Sequence, residues 1–285
     1  MCGRYHLTTN PWDELDALVG VEGRDAPARF EPRYNIAPSE PPLPASSKRA
    51  APRRITRVPI LRRRLAGRDE QGDGDERSGG AEGDPGSERD AGGDDGRARA
   101  AGADVPTEAN DALWPLVPPW AKGEVTRYST ANARAEGLSE SRTFARPWRR
   151  GQRCLIPASG FYEWQDAGER TKRPWTIEPL NDALFTFGGL WEISFAPDET
   201  PVLSCTIITV AANELMREIH NAGKNRHRMP LIVAPEDRAA WLDGDGGTAE
   251  SLVAAYPADE MDARPITTAV NNPSFDDPKV LDAPE

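Results

Sequence analysis

The clearest hydrophobic signal lies between positions 154 and 210, where four short runs rich in β-branched and aromatic residues follow one another. They read CLIPASGFYEW at 154–164, PWTIEP at 174–179, LFTFGGLWEI at 184–193 and LSCTIITV at 203–210. Such side chains suit a half-buried pleated surface, so each run predicts a strand. The residues 181–183, Asn-Asp-Ala, predict a hairpin turn between the second and third runs. Alternation at 55–61 and the short run MPLIV at 229–233 predict two more strands. Helical signals are shorter. Asn10 and Pro11 precede Trp12, Leu15, Leu18 and Val19, a capped helix with proline at its first position. Further helices are expected over 213–220, 235–242 and 249–256, and ARPITTAV at 263–270 closes the regular structure. The stretch ALWPLVPPWAK at 112–122 is apolar, but Pro115, Pro118 and Pro119 exclude a central strand or a helix, leaving a rigid extended wall. Strands outnumber helices and follow one another directly. That order predicts an α+β fold with a mostly antiparallel, curved sheet and peripheral helices.

One segment departs from this pattern. From Ala66 to Asp104 the chain has no Val, Ile, Leu, Met, Phe, Trp, Tyr or Cys, and it holds 11 of the 25 glycines. It has too little apolar surface to offset the chain entropy lost on folding, so 66–112 is expected to be a disordered acidic insertion. The domain then consists of 1–65 and 113–285. Of the formal net charge of −11, the insertion carries −9 (14 acidic, 5 basic), so the rest of the chain carries only −2. A near-neutral domain leaves room for local basic patches that bind an anion.

The three cysteines, Cys2, Cys154 and Cys205, have neither metal-site spacing nor an even framework. No metal or cofactor is expected. No hydrophobic run reaches transmembrane length and none forms a signal segment after Met1, so a cytoplasmic location away from membranes is expected.

Four places combine a reactive side chain with an unusual setting. Cys2 directly follows the initiator methionine, and its side chain is small enough for Met1 to be removed. Asn132 and Arg134 lie in STANARAEG, too polar a segment for core. Glu163 ends an aromatic strand, where desolvation disfavours the charged carboxylate and raises its pKa. Alternation puts Phe161, Glu163 and Gln165 on one face, Tyr162 and Trp164 on the other. His220 falls at a helix end and His227 directly before Arg228. Each also has a plain reading: a buried small hydrophobe, a turn amide, a solvated acid, a helix cap.

Together, and in order, the motifs MCGRY at 1–5, RYNIAP at 33–38, ANAR at 131–134, GFYEW at 160–164, Ile219-His220 followed by Arg228-Met229-Pro230, and VNNP at 270–273 resemble one family. It is the SOS-response-associated peptidase (SRAP) family, which covalently captures abasic sites in single-stranded DNA. The resemblance implies a single barrel-like domain that binds abasic single-stranded DNA as a monomer, with replication or repair proteins as further partners. It implies that Cys2, freed of Met1, supplies both an amine and a thiol. An amine and an aldehyde give an imine, and a thiol on the adjacent carbon closes onto it as a thiazolidine. By the same resemblance Asn132 would hold the sugar, Glu163 would move protons, and His220 would assist ring opening. Arg4, Arg134 and Arg228 would contact phosphates, while Asn35, Pro38 and Trp120 would shape the path of flanking bases.

This chain departs from the family pattern at one point. The family has a histidine, one residue, then Arg-Met-Pro; here six extra residues follow Asn221 before Arg228. His220 keeps the helix-end context, and His227 is the alternative. Two rival functions use the same residues. A class II glutamine amidotransferase or a peptidase would use the N-terminal cysteine as a nucleophile on an amide. A noncatalytic reader of modified bases would need no reactive cysteine.

Overall fold

The computed structural model describes residues 3–12, 14–15, 21–24 (backbone alone), 30–40, 54–63, 107–168, 171–180 and 184–284. Cys2, the 181–183 turn and residues 66–106 of the expected insertion lie outside them. Thirteen strands form two sheets. Strands β4 (Arg57–Arg63), β5 (Thr107–Leu113), β7 (Arg153–Ala158), β10 (Phe185–Phe195) and β11 (Pro201–Ala211) pair in the order β11-β10-β7-β4-β5, all antiparallel. A parallel bridge from Ser204 on β11 to Leu113 on β5 closes them into a five-stranded mixed barrel. Strands β2 (Val21–Arg24), β6 (Asn132–Arg134) and β12 (Arg228–Pro230) attach to its edges.

The second sheet runs β13-β9-β8-β1-β3, with β1 at Tyr5–Leu7, β3 at Arg33–Ile36, β8 at Gly160–Gln165, β9 at Arg173–Pro179 and β13 at Met261–Pro265. The chain passes from barrel to sheet at Ser159, whose N–H donates to His6 O at 2.8 Å and whose Oγ accepts from the N–H of Thr8 at 2.9 Å. This is the expected α+β architecture, and short helices fully within the described residues are α1 (Ala145–Arg149), α2 (Glu214–Ile219), α3 (Arg238–Asp243) and α4 (Gly246–Ser251).

Packing explains most of these elements. The alternating face of β8 sends Phe161 into the main core, where its ring lies 6.0 Å from Phe187 and 6.2 Å from Phe185. The opposite face sends Tyr162 and Trp164 into a second, smaller core closed by Ile266, Val270, Phe275 and Val280 of the C-terminal segment. Helix α2 begins where Asn213 Oδ1 accepts the N–H of Met216 at 2.9 Å, a side-chain cap. Near the N-terminus, residues 11–12 and 14–15 are helical, with the N–H of Trp12 donating to Asn10 Oδ1.

Three expectations need correction. Residues 107–112 are not part of the insertion, because they form most of β5, paired along its length with β4. Its buried side chains are Thr107, Ala109, Ala112 and Leu113, all but the last of them small, which hid the strand from any hydrophobic count. The link between 174–179 and 184–193 is not a hairpin, since β9 pairs with β8 and β13 while β10 belongs to the barrel. The helix expected at 249–256 lies earlier, at Gly246–Ser251. Asp245 Oδ1 accepts from the N–H of Thr248 at 2.7 Å and sets its start.

Gly160 marks the tightest point of the second sheet. A Cβ there would lie 2.5 Å from His6 Nε2, 2.7 Å from Glu178 Cγ and 2.7 Å from Ile177 O. The missing side chain lets His6 on β1 reach across β8 to Thr176 Oγ1 at 3.2 Å and Glu178 Oε1 at 3.5 Å on β9. Hydrogen bonding to His6 in turn holds the Glu178 carboxyl below its ordinary range. Since Ile177 O is backbone, the strain of Gly160→Ala has no flexible outlet. Urea unfolding of that variant is expected to show a loss of roughly 1–3 kcal/mol, the usual cost of overpacking. An unchanged midpoint would contradict the close approach.

Candidate active site

The candidate site is assembled around the end of β8. Glu163 lies on the same face as Phe161, pointing toward helix α2, and is only 3% exposed. Leaving a carboxylate buried and unpaired costs several kcal/mol, so its surroundings are decisive. His220 meets it from the C-terminal cap of α2, with Nε2 3.8 Å from Glu163 Oε2 and the ring itself 6% exposed. That separation is Coulombic contact but exceeds hydrogen-bond length. The other ring nitrogen, Nδ1, lies 2.9 Å from Arg228 O, an acceptor that makes Nδ1 the protonated nitrogen of the neutral ring. Nε2 is then left facing the carboxylate. Gln165, next on the same face, donates through Nε2 to Glu218 O of α2 at 3.2 Å, tying β8 to the helix.

The N-terminal strand reaches the same place. Antiparallel register matches Tyr5 with Phe161 and His6 with Gly160, and the N–H of Tyr162 donates to Arg4 O at 3.0 Å. Gly3, the residue before Arg4, is the first described residue of the chain. Tyr5 is anchored edge-on against Trp114, centroids 5.6 Å apart, and Trp114 Nε1–H donates to Ala131 O at 2.9 Å. The next residue is Asn132, first of β6, which pairs with Ile207 of β11. Arg134 and Arg228 flank the same stretch of β11, opposite Thr209 and Ala211 respectively.

Of the two histidines, His220 is the one beside Glu163. His227 is exposed, with a left-handed φ of 59°, and its N–H donates to His220 O at 2.8 Å.

The expected DNA-contacting residues separate into two groups. Arg228 is engaged within the protein: Nη1 and Nη2 donate to Glu136 Oε1 and Oε2 at 3.0 and 2.9 Å, and Nε donates to Thr209 Oγ1 at 3.3 Å. These bonds hold the Glu136 carboxyl below its ordinary range. Arg4 donates to Asn35 Oδ1 at 3.2 Å, to Val270 O and to Asn271 O, with its guanidinium 5.9 Å from the Trp164 ring. Burial, then the charge of Arg54, draws the Arg4 pKa down.

Asn35 is buried, and its Nδ2 lies 3.2 Å from Val270 O, 2.9 Å from Asn272 O and 3.1 Å from Phe275 O. An amide held by three carbonyls and an arginine ties β3 to the 270–275 turn. Pro38 is half-buried, and its carbonyl accepts from Arg54 Nε at 3.0 Å. Arg134 is exposed and donates to Asn225 Oδ1, and Trp120 is 51% exposed on the turn Pro119–Ala121. A hollow of about 420 Å³ separates Trp120 from Tyr128, which is 77% exposed. The sequence reading missed Tyr128 and Glu136; both sit in polar stretches with no pattern to single them out.

Comparison with known proteins agrees with this arrangement. The family described as SOS response associated peptidase (SRAP) matches residues 1–273, and the chain belongs to that family. It is 40% identical over 173 residues to the abasic site processing protein YoqW of Bacillus subtilis, covering 60% of this chain and 74% of that one. Over 198 residues it is 29% identical to the abasic site processing protein HMCES of rat, covering 59% and 54% respectively. Among solved structures, a Bordetella bronchiseptica protein of 20% identity superposes with a TM-score of 0.63 over 93% of this chain and all of the other. A Bacteroides thetaiotaomicron protein of 26% identity superposes at 0.54 over 62% of this chain and 77% of that one.

The Asn35 contacts give a prediction. Asn35→Ala removes the side-chain donor from the carbonyls of Asn272 and Phe275, while Val270 O keeps Arg4, and a buried group so stranded costs about 1–3 kcal/mol. Chemical denaturation should show a loss of that order. A loss below about 0.5 kcal/mol would mean that the amide is not holding the turn.

Proposed function

We propose that this protein recognises abasic sites in single-stranded DNA and captures them through Cys2 once Met1 has been removed. The observation that supports this reading is the buried pair of His220 with Glu163 on β8, the strand with which the N-terminal strand β1 pairs. Its relatives carry names that state abasic sites as their target. On this reading the amine and the thiol of Cys2, held on one carbon, act together with the buried acid and base.

The chemistry follows in three steps. The abasic sugar opens when its anomeric hydroxyl loses a proton, the bond from C1′ to the ring oxygen breaks, and that oxygen gains a proton. Glu163 and His220 share the transfer, one accepting and the other donating. The Cys2 amine then adds to the aldehyde carbon and water leaves, giving the imine. Finally the thiol sulfur bonds to the imine carbon while its proton passes to nitrogen, which closes the thiazolidine. An α-amine with a pKa near 8 and a thiol near 8.5 are each partly in their reactive form at neutral pH, so neither needs strong activation. Asn132 hydrogen-bonds the sugar beside this centre. No redox partner or metal enters the balance.

Positioned acid–base groups contribute typically 10²–10⁴-fold to such steps. Glu163→Gln is therefore expected to slow crosslinking to an abasic oligonucleotide by about two to four orders of magnitude while leaving its affinity for undamaged single strands unchanged. Cys2→Ser should give no denaturant-stable band. A band of wild-type intensity from Cys2→Ser would overturn the proposal. Retained lesion-selective binding with no band from either the wild-type protein or the variant would establish a reader in its place.

A further inference from the structure

Between His220 and Arg228 the chain makes an excursion, NAGKNRH at 221–227, that is pinned at its base. The N–H of His227 donates to His220 O, and the N–H of Ala212 donates to His227 O at 3.0 Å. Gly223 (φ 90°) and His227 (φ 59°) both adopt left-handed backbone, turning the chain out and back. One flank is stapled to the residue after β8: Asp166 N–H donates to Asn221 Oδ1 at 2.9 Å, and Asn221 Nδ2 donates to Asp166 O at 3.0 Å. The other flank reaches β6, where Asn225 Oδ1 accepts from Arg134. The loop is thus fastened to the two segments that carry Glu163 and Asn132.

Its charge has one sign. Lys224 and Arg226 are exposed, and the loop contains no acid. Exposed Lys172 joins them, its Nζ 4.0 Å from where a Cβ on Gly223 would sit. Among the described residues, Lys172, Lys224 and Arg226 form no ion pair, whereas neighbouring Arg228 is paired with Glu136. The chain as a whole carries −11, so three neighbouring cations that form no ion pair with a described acid are a local exception. Their mutual repulsion is relieved by an anion placed between them.

We infer that loop 221–227 is a phosphate-binding arm, in which Lys224 and Arg226, with Lys172 and Arg134 beside them, hold the phosphodiester backbone of a single strand entering the Glu163–His220 site. The identity of the polymer rests on the proposed function; the arm's affinity for it can be measured without any damaged base.

The test uses full-length protein and a fluorescent, undamaged oligothymidine strand, with anisotropy titrations between 50 and 200 mM KCl. Each phosphate contact on a single strand contributes about 0.7 to the slope of log affinity against log salt. Lys224→Ala/Arg226→Ala should flatten that slope by about 1.4 and weaken binding most at low salt. A control with the same charge loss, Arg57→Ala/Lys279→Ala, should leave the slope unchanged. Matching far-UV spectra and melting curves confirm that both variants fold. An unchanged slope, an equal change in the control, or no wild-type binding at 50 mM KCl overturns the inference. So does weaker binding of an acidic peptide with the DNA curve unaltered. Crosslinking of the wild-type protein to an abasic strand is scored separately. Should the slope flatten while wild-type protein forms no crosslink, the arm stands and the proposed function falls.

Discussion

The pairing of β1 with β8 passes through a close approach at Gly160, where His6 crosses over bare backbone to reach Thr176 and Glu178. Any side chain at 160 would push the two strands apart. With none there, the register Tyr5–Phe161 is held on both faces: Tyr5 packs against Trp114 and Phe187 on one, and His6 stacks 5.2 Å from Tyr162 on the other. A slip of one residue would turn Tyr5 and His6 onto each other's faces, so the alignment is strongly specified. From it follows the placement of Arg4, whose carbonyl accepts the N–H of Tyr162 beside Glu163.

Charge is divided in a related way. The carboxylate that matters most is buried against a histidine, and several of the arginines beside it are already committed within the protein. Arg4 is bound to the carbonyls of the 270–271 turn and Arg228 to Glu136. These two position backbone and neighbouring strands; the exposed cations of the 221–227 loop and Arg134 remain at the surface, where the proposed contact with a polyanion would be sensitive to salt. Rigid cations near the chemistry and exposed ones further out separate orientation from capture.

Much of the candidate site was legible in the sequence because it obeys local periodicity. The two-residue repeat of β8 assigns Glu163 to the Phe161 face and Tyr162 and Trp164 to the other, as observed. The helix end at His220 follows from the Asn213 cap and the apolar spacing of Met216 and Ile219. What escaped depends on distant partners or on small side chains. Asn35 looks like a surface amide until the carbonyls of residues 270, 272 and 275 close over it. Strand β5 shows no hydrophobic run because the small residues Thr107, Ala109 and Ala112 fill most of its buried positions. The pairing of Arg228 with Glu136 joins residues 92 positions apart, which no local pattern encodes. Barrel closure by Ser204 and Leu113 is non-local in the same sense.

The central claim is that the amine and the thiol of Cys2 both end up bonded to one carbon of the sugar. Mass spectrometry of the proteolysed crosslink, treated with iodoacetamide before digestion, tests it most directly. The account predicts a DNA-linked peptide that begins at Cys2, lacks Met1, and carries a sulfur that does not alkylate. A link mapped to a lysine, or a Cys2 sulfur that alkylates freely in the linked peptide, would contradict it.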